Sequence, residues 1–245
     1  MTTRIACLGD SITRAQFSVD YLALLGRRHR HDRHHPPGDV HPTRFGVNGD
    51  FAYNLLQRLD AVVTNPPDVI TVLIGTNDAR ASLPGYPVEQ AMKRKQLPVR
   101  PSAGWFQQCL SDVVARLRAE TDARIGLLSL PVLGQQLDGA AAQASQAYSR
   151  MIAEVAATHE AAYLPLHERQ TEELRRADPP PIPYREATPA AVIGVLAQHT
   201  LLRRSLDTIA RRRGLVLTTD HIHQNSRGAT LIAEAIDTGL LTQST

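Results

Sequence analysis

The chain has 245 residues, of which 42% are hydrophobic and 21% are charged, and its formal net charge is +3. This composition is ordinary for a globular protein with a sizeable core, and it excludes disordered and fibrous chains. No apolar run approaches the ~20 residues that a membrane-spanning helix needs, so we expect no membrane span.

Short apolar runs predict the strands of a parallel sheet. They occupy residues 5–8, 69–74, 125–130 and 162–166, and a further short strand is predicted near 43–47. Segments with helical periodicity separate these runs, and this alternation is typical of an α/β fold with helices on both faces of the sheet. We expect residues 1–245 to form a single domain, because a domain built on such a sheet is often longer than the ~150-residue average.

Apolar residues at helical spacing predict the helices between these strands. The first groups are Phe17, Tyr21, Leu24 and Leu25, then Leu55, Leu56, Leu59 and Val63, then Phe106, Leu110, Val113, Val114 and Leu117. Residues 140–158 and 225–236 are predicted to form the last two long helices of the core.

Three segments interrupt the pattern. Residues 27–42 are rich in His, Arg and Pro and indicate a surface loop, while the Pro-containing segment 81–102 is predicted to be irregular apart from a short helix around 89–93. Residues 178–213 form an insertion with a helix from Pro189 onward and an apolar stripe of Val192, Val195, Leu202, Leu206 and Ile209.

Charge and cysteine usage narrow the expected partners and compartment. Basic residues cluster only at 203–204 and 211–213, without interleaved aromatic residues, so we expect no nucleic acid partner. Cys7 and Cys109 fall in a predicted strand and a predicted helix, which favours two reduced core thiols. Because the apolar stretch at 5–8 is shorter than a signal-peptide core of ~7 to 15 residues, we expect a cytoplasmic protein.

A serine follows the first predicted strand, in Gly9-Asp10-Ser11-Ile12-Thr13. Ligands bind outside the carboxyl ends of parallel strands, so Ser11 is placed where it could act as a nucleophile. Taken alone, the pentapeptide favours a helix N-cap.

A carboxylate and an imidazole stand three residues apart near the other end of the chain, in Asp220-His221-Ile222-His223. His223 can take up the serine proton while Asp220 orients its ring. Without Ser11, this pattern would favour a solvent-facing turn with a helix cap.

Two further loops end at the same edge of the predicted sheet. Asn77, in Gly-Thr-Asn-Asp, follows the strand at 69–74, and its amide can donate a hydrogen bond to a developing oxyanion. The segment Gly46-Val47-Asn48-Gly49-Asp50 follows the short strand, and a glycine there offers an unobstructed backbone N–H. The alternative for Asn77 or Asp78 is a turn cap.

Together these blocks resemble the SGNH (GDSL-type) hydrolase family, across the whole chain and in the family's order. The resemblance implies a triad of Ser11, His223 and Asp220. It also implies an oxyanion hole formed by the N–H groups of Ser11 and Gly49 and the amide of Asn77. The fold it implies is a flavodoxin-like three-layer α/β/α sandwich with a five-stranded parallel sheet. The chemistry it implies is ester hydrolysis through an acyl-enzyme, with no metal or organic cofactor.

This chain departs from the family pattern at two places. His221 follows Asp220 where the family often has Gly, and we expect its side chain to point to solvent. The Asn that is common ahead of the block II glycines is missing before Gly46, and Gly49 is preferred to Gly46 as the donor by its spacing.

Two other functions fit the same residues. An acyltransferase would use the same triad with an alcohol in place of water, and a binding module would keep the fold without the chemistry. The binding module is disfavoured because every position that the chemistry needs carries a competent residue. The same residues serve hydrolysis and acyl transfer, which the sequence does not separate, and the function we predict is hydrolysis of a small-molecule ester. The histidines at 29–41 are attributed to a surface loop rather than to a metal site, since no cysteine joins them.

The insertion at 178–213 enters just ahead of Asp220 and is a candidate wall or lid of the site. Ile193, Leu196 and Leu201 fall off its apolar stripe, and we expect them to hold an acyl chain. The alternative acyl pocket is the segment 81–102.

Overall fold

The computed structural model describes residues 2–31, 40–186, 194–195, 198 and 203–242. Five strands form one parallel sheet in the order β2-β1-β3-β4-β5. They are β1 (Thr3–Gly9), β2 (Val40–Gly46), β3 (Val69–Leu73), β4 (Arg124–Leu128) and β5 (Ala162–Leu164). The predicted α/β fold with a five-stranded parallel sheet is therefore confirmed.

Helices connect successive strands. The described helices are α1 (Ser11–Arg14), α2 (Tyr21–His31), α3 (Ala52–Leu56), α4 (Asp60–Val63), α5 (Thr76–Ala81), α6 (Val88–Lys95), α7 (Ala103–Glu120), α8 (Ala140–Thr158), α9 (Leu166–Ala177), α10 (Leu206–Arg212) and α11 (Ser226–Ile236). A π-helical turn, Asp237–Leu241, follows α11. No helix in the described ranges is both long and apolar enough to cross a membrane.

The core lies on both faces of the sheet, as the period of two along a strand dictates. Ala6 and Leu8 of β1 pack in one cluster with α3, α7 and α8, whereas Ile5 and Cys7 pack in the other with α2 and α11. Cys109 belongs to the first cluster, so the sheet separates it from Cys7, and both cysteines are free. The prediction of two core thiols is confirmed.

Two predicted helices differ from the observed ones. Helix α2 begins at Tyr21, so Phe17 precedes it, and the segment predicted from Leu55 to Val63 is split into the short helices α3 and α4. Helix α9 was not predicted, because the polar side chains of His167 and Gln170 interrupt the apolar spacing of its buried face, where Leu166 and Leu174 are the leucines.

The predicted surface loop at 27–42 is wrong at both ends. Helix α2 continues to His31, and β2 begins at Val40, so regular structure takes up both flanks. The imidazole of His29 is buried and its Nε2 lies 3.0 Å from Asp237 Oδ1, which fixes α2 against the end of the chain. His34 and His35 lie outside the described residues. Within the described ranges, no group of three or more His, Cys, Asp or Glu side chains is placed to hold a metal ion.

The described part of the segment 178–213 packs on the body of the protein. Val195, Leu206 and Ile209 form a small buried cluster against Val19, in agreement with the predicted stripe. Pro189, Val192, Ile193, Leu196, Leu201 and Leu202 lie outside the described residues.

Candidate active site

The candidate site lies where the strand order reverses, between β1 and β3. In open parallel sheets ligands bind at this position, outside the carboxyl ends of the strands. Ser11 begins α1, two residues after the end of β1, and Asn77 lies in the first turn of α5, just beyond β3. The two loops therefore bring both side chains to one crevice.

The N-cap of α1 is Asp10 and not Ser11. The Asp10 carboxylate accepts a hydrogen bond from the Ile12 N–H at 2.9 Å, and its burial raises the pKa of this carboxyl to about 6. This cap leaves the Ser11 hydroxyl free for another partner, the ring of His223. The alternative interpretation of Ser11 as a helix cap is therefore wrong.

The structure brings Ser11, His223 and Asp220 into one hydrogen-bonded row. His223 Nε2 lies 3.0 Å from Ser11 Oγ, and His223 Nδ1 lies 2.7 Å from Asp220 Oδ2. The other carboxylate oxygen of Asp220 accepts the N–H groups of Ile222 and His223, at 3.2 and 2.8 Å. Helix α11 has its own cap, Asn225, so Asp220 is not needed as one.

The charge state of Asp220 fixes the tautomer of the histidine. Burial acts to raise the pKa of Asp220, but the nearby His223 and the three hydrogen bonds outweigh it and lower this pKa to about 2. An ionised carboxylate only accepts, so His223 Nδ1 carries the proton and Nε2 is left to accept the Ser11 hydroxyl. The ring of Phe17 packs against His223 with centroids 5.4 Å apart, which further restrains the imidazole.

The amide of Asn77 is held at both of its ends. Its Nδ2 donates to the backbone oxygen of Asp50 at 2.9 Å, and its Oδ1 accepts from Arg80 Nη1 at 2.7 Å. The second hydrogen on Nδ2 has only a long contact, 3.5 Å, with Asp10 Oδ2. This hydrogen is the one available to a ligand in the crevice that Ser11 also lines.

Arg80 and Glu186 also line the candidate site, although no sequence motif indicates them. The guanidinium of Arg80 forms a largely buried ion pair with Glu186 and lies over the ring of Tyr86. Glu186 also accepts the Tyr184 hydroxyl at 2.7 Å. The pair joins α5 to a segment 106 residues away, so no local pattern could have revealed it.

Gly49 lies on a loop that ionic contacts hold in place. Its φ of +73° favours glycine, because a side chain is strained in this conformation. The next residue, Asp50, is buried and bonds Arg58 and Lys95, each at 2.8 Å. Gly49 lines the same pocket as Ser11, whereas Gly46 lies within β2, where a Cβ would approach the Arg14 nitrogen to 2.3 Å.

The side chain of His221 does not point freely to solvent. It is half-buried, its ring meets Tyr184 edge-on at 5.9 Å, and its Nδ1 is buried without a hydrogen-bond partner among the described residues. Burial lowers the pKa of this imidazole. The backbone φ of +72° explains why a glycine suits this position. The half-buried ring shows that the expectation of a solvent-facing side chain was wrong.

The resulting pocket has a volume of about 390 Å³. Ser11, His223, Asn77 and Gly49 line it together with Phe17 and Ile222. The segment 81–102 supplies Tyr86, Pro87, Gln90, Ala91 and Arg94, and the segment 178–213 supplies Glu186. Both segments were predicted as possible walls of the pocket. Among the described residues, the segment 81–102 contributes more of the lining than the segment 178–213.

A second buried acid, Asp78, lies behind Asn77. Its carboxyl oxygens accept the Ala52 N–H at the start of α3, at 3.2 and 3.4 Å, and burial raises its pKa to about 8. Because the folded chain keeps a proton that the unfolded chain releases near pH 4, this group's contribution to stability is largest at low pH. It declines as the pH rises to about 8.

We therefore expect Asp78→Asn to gain stability over the wild type as the pH is raised from 4 to 8. The amide oxygen can still accept the Ala52 N–H, but it does not ionise. Urea unfolding at several pH values measures this difference, and Asp122→Asn, at an exposed position, controls for the lost charge. A stability difference that does not vary with pH would contradict the raised pKa.

The sequence matches the GDSL-like lipase/acylhydrolase family over residues 7–231. A search of curated proteins found no match.

Solved structures of several hydrolases share the fold. An acetyl xylan esterase, AlAXEase, is 18% identical with a TM-score of 0.68, over 97% of this chain and 100% of that one. Axe2, an acetylxylan esterase from Geobacillus stearothermophilus, is 16% identical with a TM-score of 0.67, over 96% and 93%. LAE5, an α/β hydrolase from the metagenome of Lake Arreo, Spain, is 18% identical with a TM-score of 0.64, over 96% and 94%.

Proposed function

Because the chain belongs to the GDSL-like lipase/acylhydrolase family, we propose that it hydrolyses carboxylic esters through Ser11, His223 and Asp220. The observation that carries this proposal is the hydrogen-bonded row from the Asp220 carboxylate through the His223 ring to the Ser11 hydroxyl. This is the arrangement that a serine needs to become a nucleophile at neutral pH.

The first half of the reaction forms an acyl-enzyme. Ser11 Oγ attacks the ester carbonyl carbon while His223 Nε2 takes the hydroxyl proton. The imidazolium that results is stabilised by the Asp220 carboxylate. When the tetrahedral intermediate collapses, the C–O bond to the alcohol breaks and His223 gives its proton to the departing oxygen.

The second half regenerates the serine. Water attacks the acyl-enzyme carbonyl, His223 takes its proton, and the bond to Ser11 Oγ breaks as the proton returns to that oxygen. In both halves, negative charge develops on the former carbonyl oxygen. The N–H groups of Ser11 and Gly49 and the Nδ2 hydrogen of Asn77 that makes only the long contact with Asp10 are the donors that we assign to it.

Product analysis tests this function directly. We expect p-nitrophenyl acetate to yield acetate and p-nitrophenol, and acetate to remain the main product when methanol is added. Acetyl is the first acyl group to test, because two of the similar structures are acetyl xylan esterases, and a series up to octanoate then measures the room for an acyl chain. Formation of methyl acetate as the main product would favour an acyltransferase instead.

Removal of the Asn77 amide is expected to slow the chemical step. Asn77→Ala should lower kcat by about 10²- to 10³-fold with a small change in KM, since an oxyanion donor acts mainly in the transition state. Arg80→Gln, which weakens the hold on the Asn77 oxygen, should lower kcat by a smaller factor. Steady-state kinetics on p-nitrophenyl acetate measure both effects.

Asn65→Ala is the matched control, because Asn65 is exposed near the start of β3, at the opposite end of the sheet. It should leave kcat unchanged. A wild-type kcat in Asn77→Ala would contradict the assignment of Asn77 to the oxyanion hole.

A further inference from the structure

One face of helix α6 forms a wall of the pocket that Ser11 lines. Pro87, Gln90, Ala91 and Arg94 line the pocket, and these positions follow the spacing of three and four residues that places side chains on one helix face. Ala91 is buried, while Gln90 and Arg94 are exposed. Arg94 therefore brings a positive charge to the mouth of the pocket.

The other cations around this pocket are neutralised by carboxylates. Arg80 pairs with Glu186, and Lys95 pairs with Asp50. Arg94 forms no ion pair or side-chain hydrogen bond with any residue that the structure describes. Its Nη2 lies 3.4 Å from the point that a Cβ on Gly49 would occupy, so the unpaired charge stands beside the Gly49 loop.

The helix dipole explains why cations are found in the last turn of α6. It does not explain why the Arg94 side chain lines the pocket. Lys93, Arg94 and Lys95 all lie in the last turn, where positive charge is favoured. Lys93 is exposed but does not line the pocket, and Lys95 is bound to Asp50. Only Arg94 among these three residues combines a free guanidinium with a place in the pocket wall.

We infer, building on the proposed ester hydrolysis, that Arg94 selects substrates whose ester carries a carboxylate or similar anionic group. A guanidinium binds a carboxylate through two parallel N–H···O bonds, which fixes the position of the anion as well as its charge. The exposed amide of Gln90 lies one helical turn away on the same face and can add a further hydrogen bond. The anion can lie on the acyl half or on the alcohol half of the ester.

Matched pairs of charged and neutral esters test this inference. For the alcohol half, 4-acetoxybenzoate is compared with 4-acetoxybenzamide. For the acyl half, monoethyl succinate is compared with ethyl succinamate. The quantity measured is the ratio of kcat/KM for the charged ester to kcat/KM for its neutral partner, and the pair that responds identifies the half that carries the anion.

Arg94→Glu should lower this ratio about fivefold or more for the responding pair, and raised salt should lower it in the wild type. Lys93→Glu makes the same charge change on the same turn and should leave both ratios as in the wild type. Equal ratios in Arg94→Glu and Lys93→Glu, with hydrolysis still dependent on Ser11, would overturn the inference but not the proposed function.

A binding measurement that needs no turnover tests the role of Arg94 separately from the proposed ester hydrolysis. Titrations followed by NMR should show benzoate binding more tightly than benzamide to the wild type and to Lys93→Glu, but not to Arg94→Glu. Equal binding of benzoate by all three proteins, together with unresponsive ratios, contradicts the inference. Absence of Ser11-dependent hydrolysis of all four esters would contradict the proposed function instead.

Discussion

Replacement of Ser11 with alanine is expected to remove nearly all esterase activity while the protein remains folded. In the proposed mechanism the Ser11 hydroxyl supplies the attacking oxygen, and loss of a triad serine lowers kcat by about 10⁴- to 10⁶-fold. The side chain is small and makes one hydrogen bond, to His223, so the unfolding midpoint should change little. Hydrolysis of p-nitrophenyl acetate and urea unfolding measure the two effects.

The chain offers a matched control in Ser111, whose Oγ lies 2.7 Å from His159 Nε2. This pair repeats the serine–histidine hydrogen bond, but the described residues provide no carboxylate on the other side of the His159 ring, and the pair does not line the pocket. Ser111→Ala should therefore retain wild-type activity. If Ser11→Ala kept most of its kcat, the proposed mechanism would be wrong.

Loss of His223 should be nearly as damaging as loss of Ser11. The His223→Ala variant lacks the group that we propose takes up the serine proton, so we expect kcat to fall by about 10⁴-fold or more. His221→Ala, two residues earlier, should change kcat by less than about tenfold, because the His221 ring packs on Tyr184 rather than on Ser11. Parallel steady-state kinetics of the two variants give the comparison.

The double variant Ser11→Ala with His223→Ala tests whether the two residues act together in catalysis. Loss of stability alone would not produce the expected non-additive result. Residues that act as one unit are not additive, so the double variant should be about as slow as either single variant. A larger defect in His221→Ala than in His223→Ala would transfer the role of the base to His221.

The sheet was predictable because its central strands, β1, β3 and β4, are buried on both faces. Such strands appear in the sequence as short continuous apolar runs, as in β1 and β3. The end of each strand then fixed where Ser11 and Asn77 could lie, and the structure brings both to one crevice. The parallel order of the sheet is enough to make separate sequence blocks converge.

Features that depend on polar burial were not predictable. The buried face of α9 contains His167 and Gln170, which bond to the Leu130 oxygen and the Val132 N–H and interrupt the apolar spacing between Leu166 and Leu174. The buried contact between His29 and Asp237 likewise depends on where α2 packs. The hydrogen bonds that satisfy such groups form between segments that are distant in the sequence. Local secondary-structure propensity therefore does not indicate them.

Pairs between distant segments explain the gaps in the predicted site. Arg80 fixes the orientation of the Asn77 amide and is itself held by Glu186, which comes from the segment 178–213. Motifs identify residues that react or donate to substrate, whereas residues that position them are recognised only from contacts. The pocket wall formed by α6, with Arg94, is likewise recognised only from contacts in the folded protein.

Covalent labelling tests the central claim, that Ser11 is the nucleophile, most directly. A fluorophosphonate probe reacts with a serine only when a base activates it, and mass spectrometry of the digested protein locates the adduct. We expect one equivalent of label on the peptide that contains Ser11 in the wild type and in Ser111→Ala, and almost none in His223→Ala. An adduct on another residue, or ester hydrolysis that persists while Ser11 stays unlabelled, would contradict the account.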